Sequence, residues 1–461
     1  MELSSLCTDS RTVKEGDIFV AIPCENVVQH ILEAIKNGAK LIFTQEYFDY
    51  IDNSKLVFVN DVRLLASELA SFYYAKQPKI NIAVTGTNGK SSVAYFVSQI
   101  WELCNIQSAN LGTLGLFVNS KKHNPEGITI PSLTTPDPIS LHKILNYIAE
   151  NNINNFVFEA SSAALDQKRL HSVVLETAGF NNLASDHLDY HKSHKEYLNS
   201  KLLLFKDILK QNKTAVVFGD DKYLYDKVKN VHNNIITFGI NEYNDIRAAN
   251  IRSDINRIIF DLTINNQTFK NITLYLTGEF QLLNILCAIS LVYVTGLDVN
   301  KIVSIIDKIK PLCGRMERIL SSHGNIFIDY AHTSEGFKIA LNTLKKYCKG
   351  KLICVFGCGG NRDSTKRQEF GSIANVLANI PIITDDNPRN EDPSLIRNEI
   401  KKKCPNAIEI PDREEAIKKA LSLMEKDDIV AIIGKGHETE QIYSNNIKYF
   451  NDKEVVLKYI E

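Results

Sequence analysis

The chain has 461 residues, 53 of them Lys or Arg and 54 Asp or Glu, and its formal net charge of -1 excludes a global field that recruits nucleic acid or a membrane surface. At roughly 150 residues per domain the length predicts about three domains, and no apolar run reaches the roughly 20 residues of a membrane span. With no signal-peptide pattern at the start and nine scattered cysteines that form no CxxC pair, the expectation is a cytoplasmic protein with reduced thiols.

Along residues 1–77 short strand and helix patterns alternate: 17–22 reads as strand, 31–37 as helix ending at Gly38, 40–44 as strand, and Asn60-Asp61 caps a further helix. Gln77-Pro78 reads as a linker into a larger α/β domain over 78–311. There 80–84 is a strand feeding a glycine-rich loop, 155–159 and 214–218 are buried strands, and 257–276 is a hairpin around Asn265-Asn266. Beyond a hinge near residue 311, strands at 325–330, 351–356, 380–384, 407–410 and 429–433 are separated by helical patterns, which predicts a doubly wound domain over 312–461. The fold class is thus α/β in three domains: a small N-terminal one, a central P-loop-type one and a C-terminal Rossmann-like one.

The segment Val84-Thr85-Gly86-Thr87-Asn88-Gly89-Lys90-Ser91-Ser92 carries the strongest chemical signal. Its glycines let the backbone approach phosphate oxygens, and the following helix N-terminus supplies amides. Lys90 adds charge, and Ser91 can reach Mg2+. The general template places a glycine five positions before Gly89, where this chain has Val84. At the carboxyl end of a strand, Glu159-Ala160-Ser161-Ser162 sits where open α/β sheets hold ligands, and 186–191 is dense in polar side chains. Glu159 and His187 are therefore candidate Mg2+ ligands beside Ser91, although Mg2+ favours oxygen. By pattern alone Lys201 is a surface lysine. Far downstream, Thr384-Asp385-Asp386-Asn387-Pro388-Arg389 closes a strand pattern and presents a positive charge beside carboxylate and amide groups, as selection of a zwitterionic co-substrate requires.

Five motifs in order, Gly86-Thr87-Asn88-Gly89-Lys90-Ser91, Asn181-Asn182-Leu183 with 186–191, Cys313-Gly314-Arg315-Met316-Glu317, Asp329-Tyr330-Ala331-His332-Thr333 and Gly434-Lys435-Gly436-His437-Glu438, together resemble the Mur ligases. The resemblance spans nearly the whole chain and implies ATP-dependent amide ligation. ATP phosphorylates a D-glutamyl carboxylate of UDP-N-acetylmuramoyl-L-alanyl-D-glutamate, and an amine then attacks the acyl phosphate. Catalysis of that kind is mostly positioning and charge neutralisation. The resemblance assigns Lys90, Glu159, His187 and Lys201 to catalysis, with Lys201 carbamylated as a ligand to Mg2+. It gives Gly86, Thr87, Asn88, Gly89, Ser91, Ser92, Asn284, Arg315 and Asp329 to the nucleotide, with His332 near its phosphates. Arg315 and His332 lie past the hinge, so ATP is expected to draw the third domain onto the second.

For the UDP-sugar peptide, the same similarity points to Thr8, Ser10, Thr134, Thr135, Ser161, Gln167 and Arg169, the last able to pair with an anion bidentately. The chain departs from the family pattern at Glu25-Asn26-Val27, Leu133, Ala163-Ala164 and Gln281. Asp386-Asn387-Pro388-Arg389 resembles the signature of diaminopimelate-adding members, accompanied by Arg362, Gly434 and Glu438. Meso-diaminopimelate carries a distal carboxylate for Arg389 and an ammonium for Glu438, whereas lysine would leave Arg389 unpaired. A monomer with small-molecule partners and no nucleic acid or membrane is expected. A lysine-adding ligase, a folylpolyglutamate synthase and a catalytically lapsed ATP-binding scaffold are the alternatives.

Overall fold

The structure is a computed structural model and describes residues 5–48, 53–184, 190–322, 324–444 and 446–460. Four parallel strands come first, β1 (Leu6–Cys7), β2 (Ile18–Val20), β3 (Leu41–Thr44) and β4 (Leu56–Phe58), side by side in chain order. On one face helix α1 (Val27–Lys36) buries Val27, Ile31 and Ala34 against Phe19 and Ile42. On the other, α2 (Val62–Tyr73) lays Val62, Ala66 and Ala70, spaced one helical turn apart, onto Leu6 and Val20, and Ile139 from the next unit completes that cluster. Asp61 caps α2 as expected, accepting from Leu64 N at 3.0 Å. The strand expected from residue 17 starts one residue later, because the Asp17 carboxylate is committed to the turn, accepting from Lys14 N at 2.8 Å.

A large sheet follows, built from β5 (Ile80–Thr85), β6 (Ser108–Gly112), β7 (Gly115–Val118), β8 (Lys121–Lys122), β9 (Asn155–Glu159), β10 (Thr177–Phe180), β11 (Thr214–Phe218), β12 (Ile235–Gly239), β13 (Ile246–Ser253), β14 (Ile258–Ile264) and β15 (Gln267–Leu274). Its order is β15-β14-β13-β12-β11-β10-β5-β9-β6-β7-β8, with antiparallel pairs at both ends of a parallel middle. Alternation along β5 sends Ile82 and Val84 to one core, under α3 (Lys90–Leu103) and the helix Glu279–Val294. It sends Ala83 to the other core, under α4 (Pro138–Glu150) and α6 (His194–Leu203), with α5 (Ser162–Asp166) between them in the chain. The hairpin around Asn265-Asn266 is present as β14–β15, both turn residues in the left-handed region at φ 49° and 61°.

The third sheet contains β16 (Glu317–Leu320), β17 (Asn325–Asp329), β18 (Leu352–Phe356), β19 (Ile380–Ile383), β20 (Ile408–Glu409) and β21 (Ile429–Ile433), in the order β16-β17-β21-β18-β19-β20. All are parallel except the edge strand β16, and apolar clusters cover both faces, the doubly wound arrangement expected. A hairpin absent from the sequence reading, β22 (Glu440–Tyr443) with β23 (Asn446–Tyr449), lies beyond β21.

Candidate functional site

Strand β5 lies between β9 and β10, with Val84 opposite Glu159 and Thr85 opposite Phe180. That register is why the loop after β5 meets Glu159 on one side and Asn181 on the other. Gly86 and Gly89 take φ of 147° and 82°, and Gly89 opens α3. A Cβ on Gly89 would stand 2.3 Å from Asn284 Oδ1 and 2.5 Å from Asn181 Nδ2, so the position admits only glycine. Amides knit the loop in place: Asn88 N donates to Asn182 Oδ1 at 2.9 Å, and Asn182 Nδ2 and Asn181 Nδ2 donate back to Asn88 O at 2.9 and 3.1 Å. The chain of contacts continues through Asn284 Oδ1 (2.8 Å) and Gln281 to the Arg315 carbonyl. Lys90 Nζ folds back onto the Gly86 and Thr87 carbonyls at 2.9 Å each, and Lys201 Nζ also donates to Gly86 O at 2.9 Å.

Lys201 corrects the surface reading: it is 1% exposed, with Nζ 4.4 Å from the centre of the Tyr197 ring. Its helix does not run on to the surface but opens into a π-helix at Leu204–Ile208. Pi-type turns of this kind re-aim a helix at functional positions.

The opposite wall is a hydroxyl and carboxylate network. Glu159 is buried and its Oε1 accepts from Thr113 N at 2.8 Å; Gly112 must be glycine there, since a Cβ would fall 1.9 Å from that oxygen. Thr113 and Thr134 share a hydroxyl bond of 3.1 Å, and Thr135 Oγ1 links the Glu159 carbonyl (2.7 Å) to Ser161. Arg169 donates to the Thr135 carbonyl at 2.7 Å and to Gln167 Oε1. Burial lowers the Arg169 pKa, with Asp137 and Tyr190 opposing. Ser91, Glu159 and Gly112 line one cleft with Leu312, from beyond the hinge.

From the third sheet Arg315 Nη2 lies 3.5 Å from Ser91 Oγ, and its guanidinium stacks 4.1 Å from the Tyr330 ring centre. Asp329 is fixed by the Met316 and Ala331 amides at 2.6 and 2.8 Å. Burial pushes its carboxyl above the usual carboxylate value, against the pull of Arg315 and those amides. His332 is exposed, its ring 4.8 Å from that of Tyr330.

A second cluster forms where β19 and β21 end. Buried Lys435 donates to Asn387 Oδ1 (3.0 Å), Glu438 Oε2 (2.9 Å) and the Glu440 carbonyl (2.7 Å), while Asn387 Nδ2 donates to Glu438 at 2.8 Å. Glu438, expected to face a ligand ammonium, thus already balances a protein cation. Arg389 adopts φ 53° and is clamped by backbone bonds to Ile442 and Ser444, with Nη1 on the Gly360 carbonyl at 2.8 Å. Gly434 has φ 123°, and a Cβ there would meet Asp386 Oδ2 at 2.7 Å.

Residues 84–292 match the Mur ligase middle domain, and 314–436 match the Mur ligase, glutamate ligase domain. The chain is 40% identical over 465 residues to the UDP-N-acetylmuramoyl-L-alanyl-D-glutamate--2,6-diaminopimelate ligase of Rickettsia prowazekii (strain Madrid E), covering 99% of this chain and 96% of the relative. The chain belongs to the Mur ligase family. To the Brucella melitensis biotype 1 ligase of the same name it is 36% identical over 460 residues, covering 98% of this chain and 93% of that one. A solved structure of a ligase with this name superposes with a TM-score of 0.69 at 29% identity, covering 99% of this chain and 94% of the other. A folylpolyglutamate synthase from Thermotoga maritima, at 19% identity, TM-score 0.63 and coverage of 80% and 90%, shares the fold alone.

In this Mur ligase the structure gathers Gly86 to Ser92 with Asn284, Arg315, Lys201 and Glu159, and Glu159 joins them to Thr134, Thr135, Ser161, Gln167 and Arg169. His187 lies outside the described residues. Ser10 faces inward, buried and 2.5 Å from Glu33 Oε2, and Thr8 is half-buried two residues before it. Pro388 is buried and Arg362 exposed. The site-residue reading passed over Asn181, Asn182, Thr113 and Lys435. Asn181, Asn182 and Lys435 lie inside the family motifs, and the glycines at 112 and 115 are the signal that could mark the turn carrying Thr113.

Proposed function

We propose that the chain is an ATP-dependent amide ligase that joins meso-2,6-diaminopimelate to the D-glutamyl carboxylate of UDP-N-acetylmuramoyl-L-alanyl-D-glutamate, a step of peptidoglycan precursor synthesis in the cytoplasm. One observation carries this reading. Arg315 reaches Ser91 of the phosphate loop, and the residue before it, Gly314, packs against Gly436 and His437 of the loop that holds Lys435 and Glu438. The anion site and the zwitterion site therefore share one seam.

In this reading residues 1–77 hold the UDP-sugar peptide, 78–311 the ATP and 312–461 the amino acid, in a monomer. Gly86, Thr87, Asn88, Gly89, Lys90, Ser91 and Ser92 hold phosphate oxygens, Lys90 exchanging its two carbonyl acceptors for them, while Asn284, Arg315, Asp329 and His332 fix the nucleotide. Thr134, Thr135, Ser161, Gln167 and Arg169, with Thr8 and Ser10, contact the UDP-sugar peptide. Arg362, Asp386, Asn387, Pro388, Arg389, Gly434 and Glu438 receive the diaminopimelate, Arg389 supplying the fork that its far carboxylate needs.

Mg2+ fits the donors present. Ser91 and Glu159 offer oxygens into one cleft, and among the described residues no group of three or more His, Cys, Asp or Glu could hold a metal, so a hard cation there would lean on phosphate and water. Ser91, Glu159, His187 and Lys201 as a carbamate would hold it, and when bound it neutralises charge on the transferring phosphoryl group. The test is phosphate release from ATP with the UDP-dipeptide and each amino acid in turn. Release that depends on diaminopimelate is expected. Release with lysine instead would indicate the lysine-adding alternative, and none with either would leave an ATP-binding scaffold.

A further inference from the structure

His437 belongs to neither cluster described above, yet it stands between them. Its ring lies 4.8 Å from that of Tyr330, on whose face Arg315 rests before reaching Ser91. Its chain neighbours Lys435 and Glu438 form the amino-acid cluster. A Cβ on Gly314 would come within 2.3 Å of His437 N, so the backbone that carries the imidazole packs closely on the segment leading to Arg315. Its Nδ1 is buried and makes no hydrogen bond among the described residues. A buried nitrogen left unmatched costs stability, and its persistence at a seam points to a partner that arrives with substrate.

Resting on the ligase reading above, we propose that His437 Nδ1 is the acceptor of the proton lost from the amino-acid nitrogen when the amide forms. The incoming α-ammonium gives one proton to water, and its lone pair forms the C–N bond to the acyl phosphate. The tetrahedral adduct then expels phosphate, which leaves with the C–O electron pair, and the surplus proton on nitrogen passes to Nδ1 and on to solvent. Nitrogen in such an adduct is far more acidic than a free ammonium, so a weakly basic imidazole suffices. The surroundings keep that imidazole unprotonated: burial holds it down to about 3, with Arg315, Lys122, His332 and Lys435 pressing the same way. Phosphate and carboxylate brought by the substrates neutralise those cations and raise its basicity as the reaction proceeds.

The experiment separates the two halves of the reaction in the full-length protein. Acyl phosphate is trapped with hydroxylamine from ATP, Mg2+ and UDP-N-acetylmuramoyl-dipeptide, and tripeptide is measured after adding diaminopimelate. His437→Gln should form hydroxamate as the parent does and form amide roughly 10²- to 10⁴-fold more slowly, the usual loss of a general base. The acid limb of the parent's kcat profile should vanish in the variant. Amide formation at the parental rate, or loss of hydroxamate together with amide, overturns the assignment. Absence of hydroxamate from the parent itself overturns the ligase reading, a result distinct from either.

Discussion

Arg389→Ala isolates amino-acid recognition because the change removes a side chain without altering the backbone problem. Arg389 sits at φ 53°, and alanine tolerates that region no better and no worse than arginine, so the strain carries over. The turn is held by backbone bonds, Arg389 N to the Ile442 carbonyl at 2.9 Å and Ser444 N to the Arg389 carbonyl at 2.5 Å, and both survive truncation. What is lost inside the protein is one side-chain bond to the Gly360 carbonyl at 2.8 Å, about 1 kcal/mol. What is lost toward the ligand is the guanidinium partner of a carboxylate, roughly 2 to 5 kcal/mol. At about 1.4 kcal/mol per tenfold, kcat/KM for diaminopimelate should fall roughly 30- to 4,000-fold. The dissociation constant for ATP should stay within about twofold, since the proposed nucleotide contacts run through Ser91, Asn284 and Arg315. Coupled phosphate release with diaminopimelate and with lysine, beside calorimetric titration of ATP, measures all three quantities. A parallel loss in both ligands, or a parent enzyme that uses lysine and diaminopimelate equally well, would refute the reasoning.

Gly89→Ala should weaken ATP binding at least tenfold in the same titration, because its Cβ would strike Asn284 Oδ1 and Asn181 Nδ2 and its φ of 82° adds about 1 kcal/mol. Gly112→Ala should displace the Glu159 carboxylate, lowering phosphate release while ATP still binds. Lys201→Ala should abolish turnover, with partial recovery on addition of short carboxylates; full activity without them would remove the carbamate. His142 is buried with neither ring nitrogen hydrogen-bonded among the described residues, and burial lowers its pKa from the ordinary 6.5 to about 4. Because the folded state then binds fewer protons than the unfolded, its contribution is complete above pH 6.5 and drains away as pH falls toward 4. The loss amounts to roughly 3 kcal/mol, so His142→Leu should flatten the fall in thermal midpoint across that window.

The parts legible in sequence were those whose signal is local. The β5 strand, its glycine loop and α3 follow from an apolar run meeting a phosphate-binding turn, and the five strands of the third sheet follow from apolar runs spaced by helical patterns. The β6–β7–β8 meander was missed because its last strand is two exposed lysines, which carry no apolar alternation. The edge hairpin β22–β23 is likewise exposed along β23, with Ile447 and Tyr449 each more than half accessible. Strand β13 alternates only at its start, where Ile246 and Ala248 are buried, before a bulge breaks the period. The site was harder still. Glu159 and Asn181 face the same loop only because β9 and β10 flank β5, and strand order in a sheet is not written in any one strand.

Lys201 shows what the sequence withholds and the fold supplies. A helix with almost no apolar bias gives no reason to bury a lysine, yet its Nζ and that of Lys90 both lie 2.9 Å from the Gly86 carbonyl. Two atoms each that close to a third are at most twice 2.9 Å apart. Were both protonated, the pair would repel by at least about 3 kcal/mol at an effective dielectric of about 20. A phosphate bound at this loop would relieve that repulsion by supplying negative charge to both. Conversion of one amine to a carbamate would relieve it permanently and would put a negative oxygen in place of a positive nitrogen at the phosphate loop. The pairing therefore makes Lys201 the better candidate for modification, because Lys90 heads α3, where the proposed phosphate site calls for a positive charge.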